Sequence, residues 1–360
     1  MLICSVVGAR PNFMKIAPVY AELRRRGADQ VLVHTGQHYD EAMSTVFFRD
    51  LGLPEPDVFL GVGSGTHAQQ TARIMTSFES LCLERKPGLV IVGGDVNSTL
   101  ACALVAAKLL VPVAHIEAGL RSFDRSMPEE VNRVLTDHIS ELLFTTEQSG
   151  NDNLMKEGVQ RDSIHLVGNC MIDSLKAHLP AALARRPWDA LGLTPGGYAL
   201  ATLHRPAAVD DPASLEEFRR ALKEIAETLP LIFPVHPRTR ARIEDAGVNW
   251  EPVRMMEPLG YLDFLGLMAN ARLVLTDSGG IQEETTALGV PCVTMRENTE
   301  RPVTLTIGTN VLAGTTRERI VSSAYVALAR KAAAGGQPPL WDGAAAVRVA
   351  DVVERWVGGR

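Results

Sequence analysis

Apolar and polar residues follow two interleaved rhythms along the chain. Short runs rich in Val, Ile and Leu recur near 2–7, 30–35, 89–93, 112–117, 141–145 and 164–168, and the stretches between them show helical periodicity. Continuous apolar runs predict strands buried on both faces, and their alternation with amphipathic helices predicts a parallel sheet covered by helices. Both rhythms fade across 179–197, where Pro180, Pro187, Pro195, Gly196 and Gly197 gather, so this stretch reads as a connection. The pattern restarts near 198–203, 231–235, 252–256, 272–276 and 291–295. An amphipathic stretch over 343–356 follows the Gly-Gly-Gln-Pro-Pro break at 335–339. The expected architecture is α/β, two Rossmann-like doubly wound domains over 1–178 and 198–340 facing across a cleft. Residues 341–360 are expected to return to the first domain as a helix.

Composition narrows the classes. A chain of 360 residues, 46% hydrophobic and 22% charged, has material for two cores and no disorder signature. The net charge is -6 and no basic run is longer than Arg24 to Arg26, which argues against a nucleic-acid or anionic-membrane surface. A bound anion must then be held by local positive groups. The opening MLICSVV lacks the basic flank and cleavage site of a secretion signal, and no span reaches transmembrane length. Five scattered cysteines without a C-x-x-C read as small buried hydrophobes in a reducing cytoplasm, not as disulfides or a zinc site.

Candidate chemistry gathers where strands hand over to helices. In LVLTDSGGIQEE, residues 273–284, an apolar strand runs through Ser278, Gly279 and Gly280 into a helix with acidic residues in its first turns. Free backbone N–H groups and the helix dipole suit a phosphate there, and a nucleotide diphosphate is the natural ligand. GARPNFMK at 8–15 offers Arg10 as a fork and Lys15 as a point charge for a pyrophosphate, or else an ordinary helix entry with solvated bases. In VGGDVNSTLA at 92–101, Asp95 is either a helix cap or a functional acid. HIEAGLRS at 115–122 ends an apolar strand with Glu117, where no turn chemistry calls for an acid.

MPEEVNR at 127–133 opens a helix at Pro128, with Glu129 and Arg133 at the i,i+4 spacing of a surface ion pair. Together, however, Asp95, Glu117 and Glu129 come from neighbouring strand-end loops, and mutual repulsion is expected to raise at least one pKa for acid–base work. ATLHRP places His204 and Arg205, PVHP places His236, and ENTERPV places Arg301 at further strand ends. Arg10, Lys15, Arg205 and Arg301 then form a positive lining in an acidic protein. GVGSGT at 61–66 imitates a dinucleotide fingerprint but has Thr66 in place of the third glycine, so no nicotinamide cofactor is inferred. Histidine and carboxylate spacings suggest no metal cage.

These motifs, in this order and approximate spacing over residues 3–315, resemble the non-hydrolysing UDP-N-acetylglucosamine 2-epimerases. The resemblance implies a GT-B fold and interconversion of UDP-GlcNAc with UDP-ManNAc without a cofactor, supplying ManNAc for surface polysaccharides. It implies that Ser278, Gly279 and Gly280 hold the phosphates, Glu284 the ribose, and Arg10 and Arg301 the remaining anionic groups. Asp95, Glu117, Glu129 and His204 match the family's catalytic positions, and Arg133 its supporting arginine. Lys15, Arg205 and His236 complete the expected substrate contacts. Asp95 and Glu129 are the preferred proton carriers, with Glu117 a positioner or third candidate and His204 an aid to the leaving phosphate. A homodimer and domain closure over substrate are also implied.

The chain departs from the family at two places. Ala207 and Ala208 follow Pro206 where many members carry a polar residue, and Thr45 stands where many have Gln in a segment tied to activation by a second UDP-GlcNAc. The first puts a sugar or activator contact in doubt, the second allosteric activation. Rival readings are an epimerase of a related UDP-sugar such as a diacetamido uronic acid, a hydrolysing 2-epimerase, a GT-B glycosyltransferase, and a UDP-sugar-binding regulator without catalysis.

Overall fold

The computed structural model describes residues 1–37, 54–329 and 336–359, without the side chains of Arg10, Pro11, Pro206 and Ala207. The expectations for the Arg10 and Ala207 side chains and for Thr45 therefore lie outside the described residues. Contacts divide the chain into two compact units, one of Met1–Ala177 with Pro339–Arg360, the other of His178–Pro338.

The first unit carries β1 (Ile3–Val7), β2 (Gln30–His34), β3 (Val58–Phe59), β4 (Leu89–Gly93), β5 (Val113–Ala118), β6 (Leu142–Thr145) and β7 (Ile164–Leu166). They form one parallel sheet in the order β3-β2-β1-β4-β5-β6-β7. The second unit repeats the plan with β8 (Ala199–Thr202), β9 (Leu231–Pro234), β10 (Arg254–Met256), β11 (Leu273–Thr276), β12 (Cys292–Thr294) and β13 (Asn310–Leu312). Its order is β10-β9-β8-β11-β12-β13, again parallel. Both sheets are the doubly wound α/β architecture expected from the sequence. Strand order reverses between β1 and β4 and between β8 and β11, and ligands of such sheets bind at those switch points.

Each unit has its own core. Val6, Val33, Val90 and Val92 pack with Ile74, Phe78 and Ala103 in the first, and Ala201, Phe233, Leu275 and Val293 pack with Phe218, Leu222 and Ile320 in the second. The C-terminal helix, Ala345–Gly358, buries Val349 and Val353, and Arg26 reaches Asp351 and Glu354 on it, each at 2.7 Å. Trp341, fully buried, donates its indole N–H to the Thr146 carbonyl at 3.0 Å. Asp173 accepts the Ala345 and Ala346 amides at 3.2 and 2.7 Å, satisfying two of the helix's otherwise unpaired N–H groups.

Two strands escaped the sequence reading, β3 and β13. Each lies at the edge of its sheet and spans only two or three residues, too short to show a period. The stretch read as a connection also differs, because the helix Cys170–Arg185 runs through Pro180 and a short helix, Pro187–Ala190, follows. Pro180 and Lys176, four residues before it, are both exposed, so water can satisfy the carbonyl that proline leaves unbonded. The five cysteines are all free and buried, and no described helix is long and apolar enough to cross a membrane.

Asp173→Ala removes the acceptor that caps the C-terminal helix. It should lower stability by about 1 kcal/mol, read as a reduced urea midpoint with an unchanged m-value. An unchanged midpoint would mean that water serves those amides equally well.

Candidate active site

The first unit positions Glu117 and Asp95 by pairing each with a cation. Lys15, on the helix Arg10–Arg25 that follows β1, places its ammonium 2.7 Å from Glu117 Oε2, and both side chains are buried. Glu117 interrupts the β5–β6 register at a bulge and takes the left-handed conformation with φ 72°. Such a bulge re-aims a side chain, here off the end of the strand. Lys15 has room because Gly94 lacks a side chain, a Cβ there falling 2.7 Å from the ammonium. Lys15 was expected to serve a pyrophosphate as a point charge, but its close partner is Glu117, which burial obliges to find a cation.

Asp95 follows Gly94. The helix Asn97–Lys108 is capped at Val96, and Asp95 instead meets Arg133 Nη2 through Oδ2 at 2.5 Å. The capping alternative for Asp95 therefore drops out. Arg133 is buried, and its Nη1 contacts Glu130 Oε2 at 2.8 Å. The surface pair expected between Glu129 and Arg133 is replaced by this one: on the helix Pro128–His138, Glu130 and Arg133 face inward while Glu129 is exposed on the first turn. Glu130 also accepts the Ser122 N–H and hydroxyl and the Phe123 N–H, each at 2.9 Å. It thereby holds Phe123 in the left-handed region at φ 58°. The repulsion expected among Asp95, Glu117 and Glu129 gives way to separate cation pairing for Asp95 and Glu117.

Beneath these residues lies a buried ionic cluster that motif reading missed. Asp137 meets His115 Nδ1 and an Arg121 guanidinium nitrogen, each at 2.7 Å, and Arg121 grips Glu157 through two nitrogens at 2.8 and 2.7 Å. Burial pushes the Asp137 carboxyl up, but His115 and Arg121 outweigh it and hold the group below its ordinary value. The second nitrogen of His115 lies 2.7 Å from the Gly94 carbonyl, and Asp137 accepts the Gly119 N–H at 3.1 Å. The cluster thus ties down the backbone before Asp95 and after Glu117. Of its members only Arg121 and His115 sat inside a recognised motif, and nothing local marked them as scaffold.

In the second unit, Asp277 organises the end of β11. It is fully buried and accepts the His204 and Arg205 N–H groups at 2.8 and 2.7 Å while Oδ1 contacts His204 Nδ1 at 2.8 Å. Burial raises this carboxyl, yet the His204 contacts and the two amides bring it below the usual value. The His204 ring is thereby oriented, partly exposed, with Nε2 as the nitrogen it presents. His236 lies with its ring centroid 6.1 Å from that of His204 and caps the helix Pro237–Ala246 by accepting the Arg238 N–H.

Ser278 is the N-cap of the helix Gly279–Leu288, and its side chain makes no capping bond. A Cβ on Gly279 would fall 2.3 Å from Arg301 Nη1, so glycine is what lets a guanidinium stand against the first turn. Arg301 is buried, paired with Glu283 at 2.9 Å and with Glu300 at 2.5 Å. Arg296 contacts Glu300 at 2.9 Å and Arg205 does so at 3.4 Å. Sequence reading found Arg205 and Arg301 but not Arg296 or the two acids. Further along the helix, Glu284 is buried and accepts the Tyr261 hydroxyl at 3.2 Å, and burial pushes its carboxyl up to about 7. The near-miss fingerprint at 61–66 resolves into a turn whose Thr66 caps the helix His67–Arg85 by accepting the Gln69 N–H.

Two doubly wound units, one with cation-paired carboxylates at strand ends and one with guanidinium groups at a helix N-terminus, place the protein among nucleotide-sugar enzymes of the GT-B class. The family model for UDP-N-acetylglucosamine 2-epimerase matches residues 21–354, and the chain belongs to that family. It is 42% identical over 92% of its length to UDP-N-acetylglucosamine 2-epimerase of Methanocaldococcus jannaschii, covering 93% of that protein. It is 45% identical over 94% of its length to UDP-2,3-diacetamido-2,3-dideoxy-D-glucuronate 2-epimerase of Pseudomonas aeruginosa, covering 95% of it. The crystal structure of the M. jannaschii UDP-GlcNAc 2-epimerase in complex with UDP-GlcNAc and UDP superposes with a TM-score of 0.93 at 40% identity, covering 99% of this chain and all of that one.

Glu284 gives a pH test. Its folded pKa of about 7 lies above the ordinary 4.5, so its contribution to stability is fully present below pH 4.5 and is lost as pH rises toward 7. Glu284→Gln should remove a decline of about 3 kcal/mol across that window, read by urea unfolding of both proteins at several pH values. Parallel pH profiles for the two would show that Glu284 titrates normally.

Proposed function

We propose that the protein interconverts UDP-GlcNAc and UDP-ManNAc by eliminating UDP and adding it back. The observation that carries this reading is the pairing of Asp95 and Glu117 with Arg133 and Lys15 at strand ends, in a chain of this family whose second unit offers a diphosphate a helix N-terminus lined with arginines. The C2 proton of the sugar is not α to a carbonyl, so its direct removal is very slow and the anomeric bond must weaken first. A carboxylate takes the C2 proton, the C1–O bond breaks with its electron pair leaving on UDP, and a C1=C2 double bond forms. The 2-acetamidoglucal then receives a proton at C2 on the opposite face as a UDP oxygen re-forms the bond to C1.

Helix N–H groups and arginines aimed at the departing diphosphate lower this barrier, a single such donor being worth about 3 kcal/mol. In this reading Ser278, Gly279, Gly280, Arg205 and Arg301 hold the diphosphate, Glu284 the ribose, and His204, oriented by Asp277, assists the leaving phosphate. Two faces need two proton carriers. Asp95 and Glu129 are the preferred pair, with Glu117 the third candidate, and the exposure of Glu129 suits exchange with solvent. No redox cofactor or metal enters the chemistry. The family likeness also supports a homodimer acting on a soluble nucleotide sugar in the cytoplasm.

A second sugar deserves a place because the diacetamido-glucuronate enzyme is as similar to this chain as the UDP-GlcNAc enzyme. The Ala208 departure does not discriminate, since its side chain is buried in the core of the second unit. Chromatography of product mixtures from each UDP-sugar separates the two, and UDP-ManNAc accumulating from UDP-GlcNAc, without free ManNAc, is the expected result. Asp95→Asn and Glu129→Gln should each lower kcat at least ~100-fold while UDP still binds, the usual scale for a lost acid–base group. Wild-type turnover in either variant removes that residue from proton transfer.

A further inference from the structure

The arginines at the head of the helix Gly279–Leu288 already hold an anion of the protein's own. Glu300 is almost fully buried; its Oε1 contacts Arg301 Nη1 at 2.5 Å and Arg205 Nη2 at 3.4 Å, and its Oε2 contacts Arg296 Nη2 at 2.9 Å. A Cβ on Gly279 would fall 2.8 Å from that same Oε1, so the carboxylate stands beside the first helical turn, in the field that favours a phosphate. Arg205, Arg296 and Arg301 face two carboxylates, Glu283 and Glu300, which leaves one net positive charge in the group. Asp277 nearby accepts the Arg205 backbone N–H and lies 2.8 Å from His204 Nδ1.

We propose that Glu300 is a built-in counter-anion that weakens diphosphate binding at this helix end and so sets how readily UDP leaves and returns. The inference rests on the reading of the second unit as the UDP site. Glu300 acts through the guanidinium groups and is a positioning residue. Without it three arginines would repel one another in the ligand-free protein, and a diphosphate entering their field would meet no competing negative charge. An enzyme that must release and recapture UDP in every turnover gains nothing from holding that group uniformly tightly. A carboxylate among the phosphate-binding arginines keeps them assembled and moderates their grip.

Glu300→Gln keeps the shape and removes the charge. Two readouts are needed, the Kd for UDP by calorimetry and the melting temperature with and without saturating UDP. The expected result is UDP binding about tenfold tighter, equivalent to 1.4 kcal/mol, a lower kcat, a lower ligand-free Tm and a larger UDP-induced rise in Tm than wild type shows. The gain should shrink as salt is raised. A merely structural Glu300 would lower Tm without tightening UDP. Wild type that binds UDP and a variant that binds it equally or more weakly overturn the counter-anion role alone. Wild type that does not bind UDP overturns the site reading and this inference with it. Should the glutamine variant fail to fold, Glu300→Asp withdraws the carboxylate while keeping its charge; a smaller tightening is expected, and none overturns the proposal.

Discussion

A carboxylate removed from water needs a cation or hydrogen-bond donors, or else it holds its proton, and this requirement shapes both units. Glu117 is buried against Lys15, Asp137 against His115 and Arg121, and Glu283 and Glu300 against arginines. Taking either partner from such a pair leaves an uncompensated charge costing several kcal/mol, so neither partner can be lost without the other. The backbone pays for this arrangement in left-handed conformations at Glu117 and Phe123. Strain of that kind, about 1–3 kcal/mol per residue, survives only where the surroundings dictate it.

The same rule explains why the ionic groups differ in purpose. Deep clusters such as His115–Asp137–Arg121 contact backbone at Gly94 and Gly119 and fix the loops that carry Asp95 and Glu117. Asp95 is tethered by Arg133 and His204 by Asp277, while each keeps part of the side chain exposed. Tethered but accessible groups are suited to chemistry, because the tether fixes direction and the exposure admits substrate.

Much of this was legible in the sequence. Apolar runs of four to six residues gave the long strands of both sheets, and the strand-end motifs gave Asp95, Glu117, Arg133, His204 and Arg301. Edge strands such as β3 were too short to show a period, and the helix through Pro180 was hidden because an exposed proline breaks the pattern without breaking the helix. Glu129 and Glu130 are adjacent, and only the helix's rotation tells which one turns inward to Arg133. Asp137 and Glu300 were missed for a different reason: the partners of Asp137 lie on other elements, and Glu300, though Arg301 adjoins it and Arg296 lies four residues before it, sits in a loop where that spacing predicts no shared face.

Epimerisation by this route requires cleavage of the C2–H bond with departure of UDP. Proton NMR of the purified protein with UDP-GlcNAc in D2O, without added metal or NAD, addresses it directly. UDP-ManNAc signals that grow in with deuterium at C2 are expected. UDP-ManNAc that forms with its C2 proton fully retained would contradict this route.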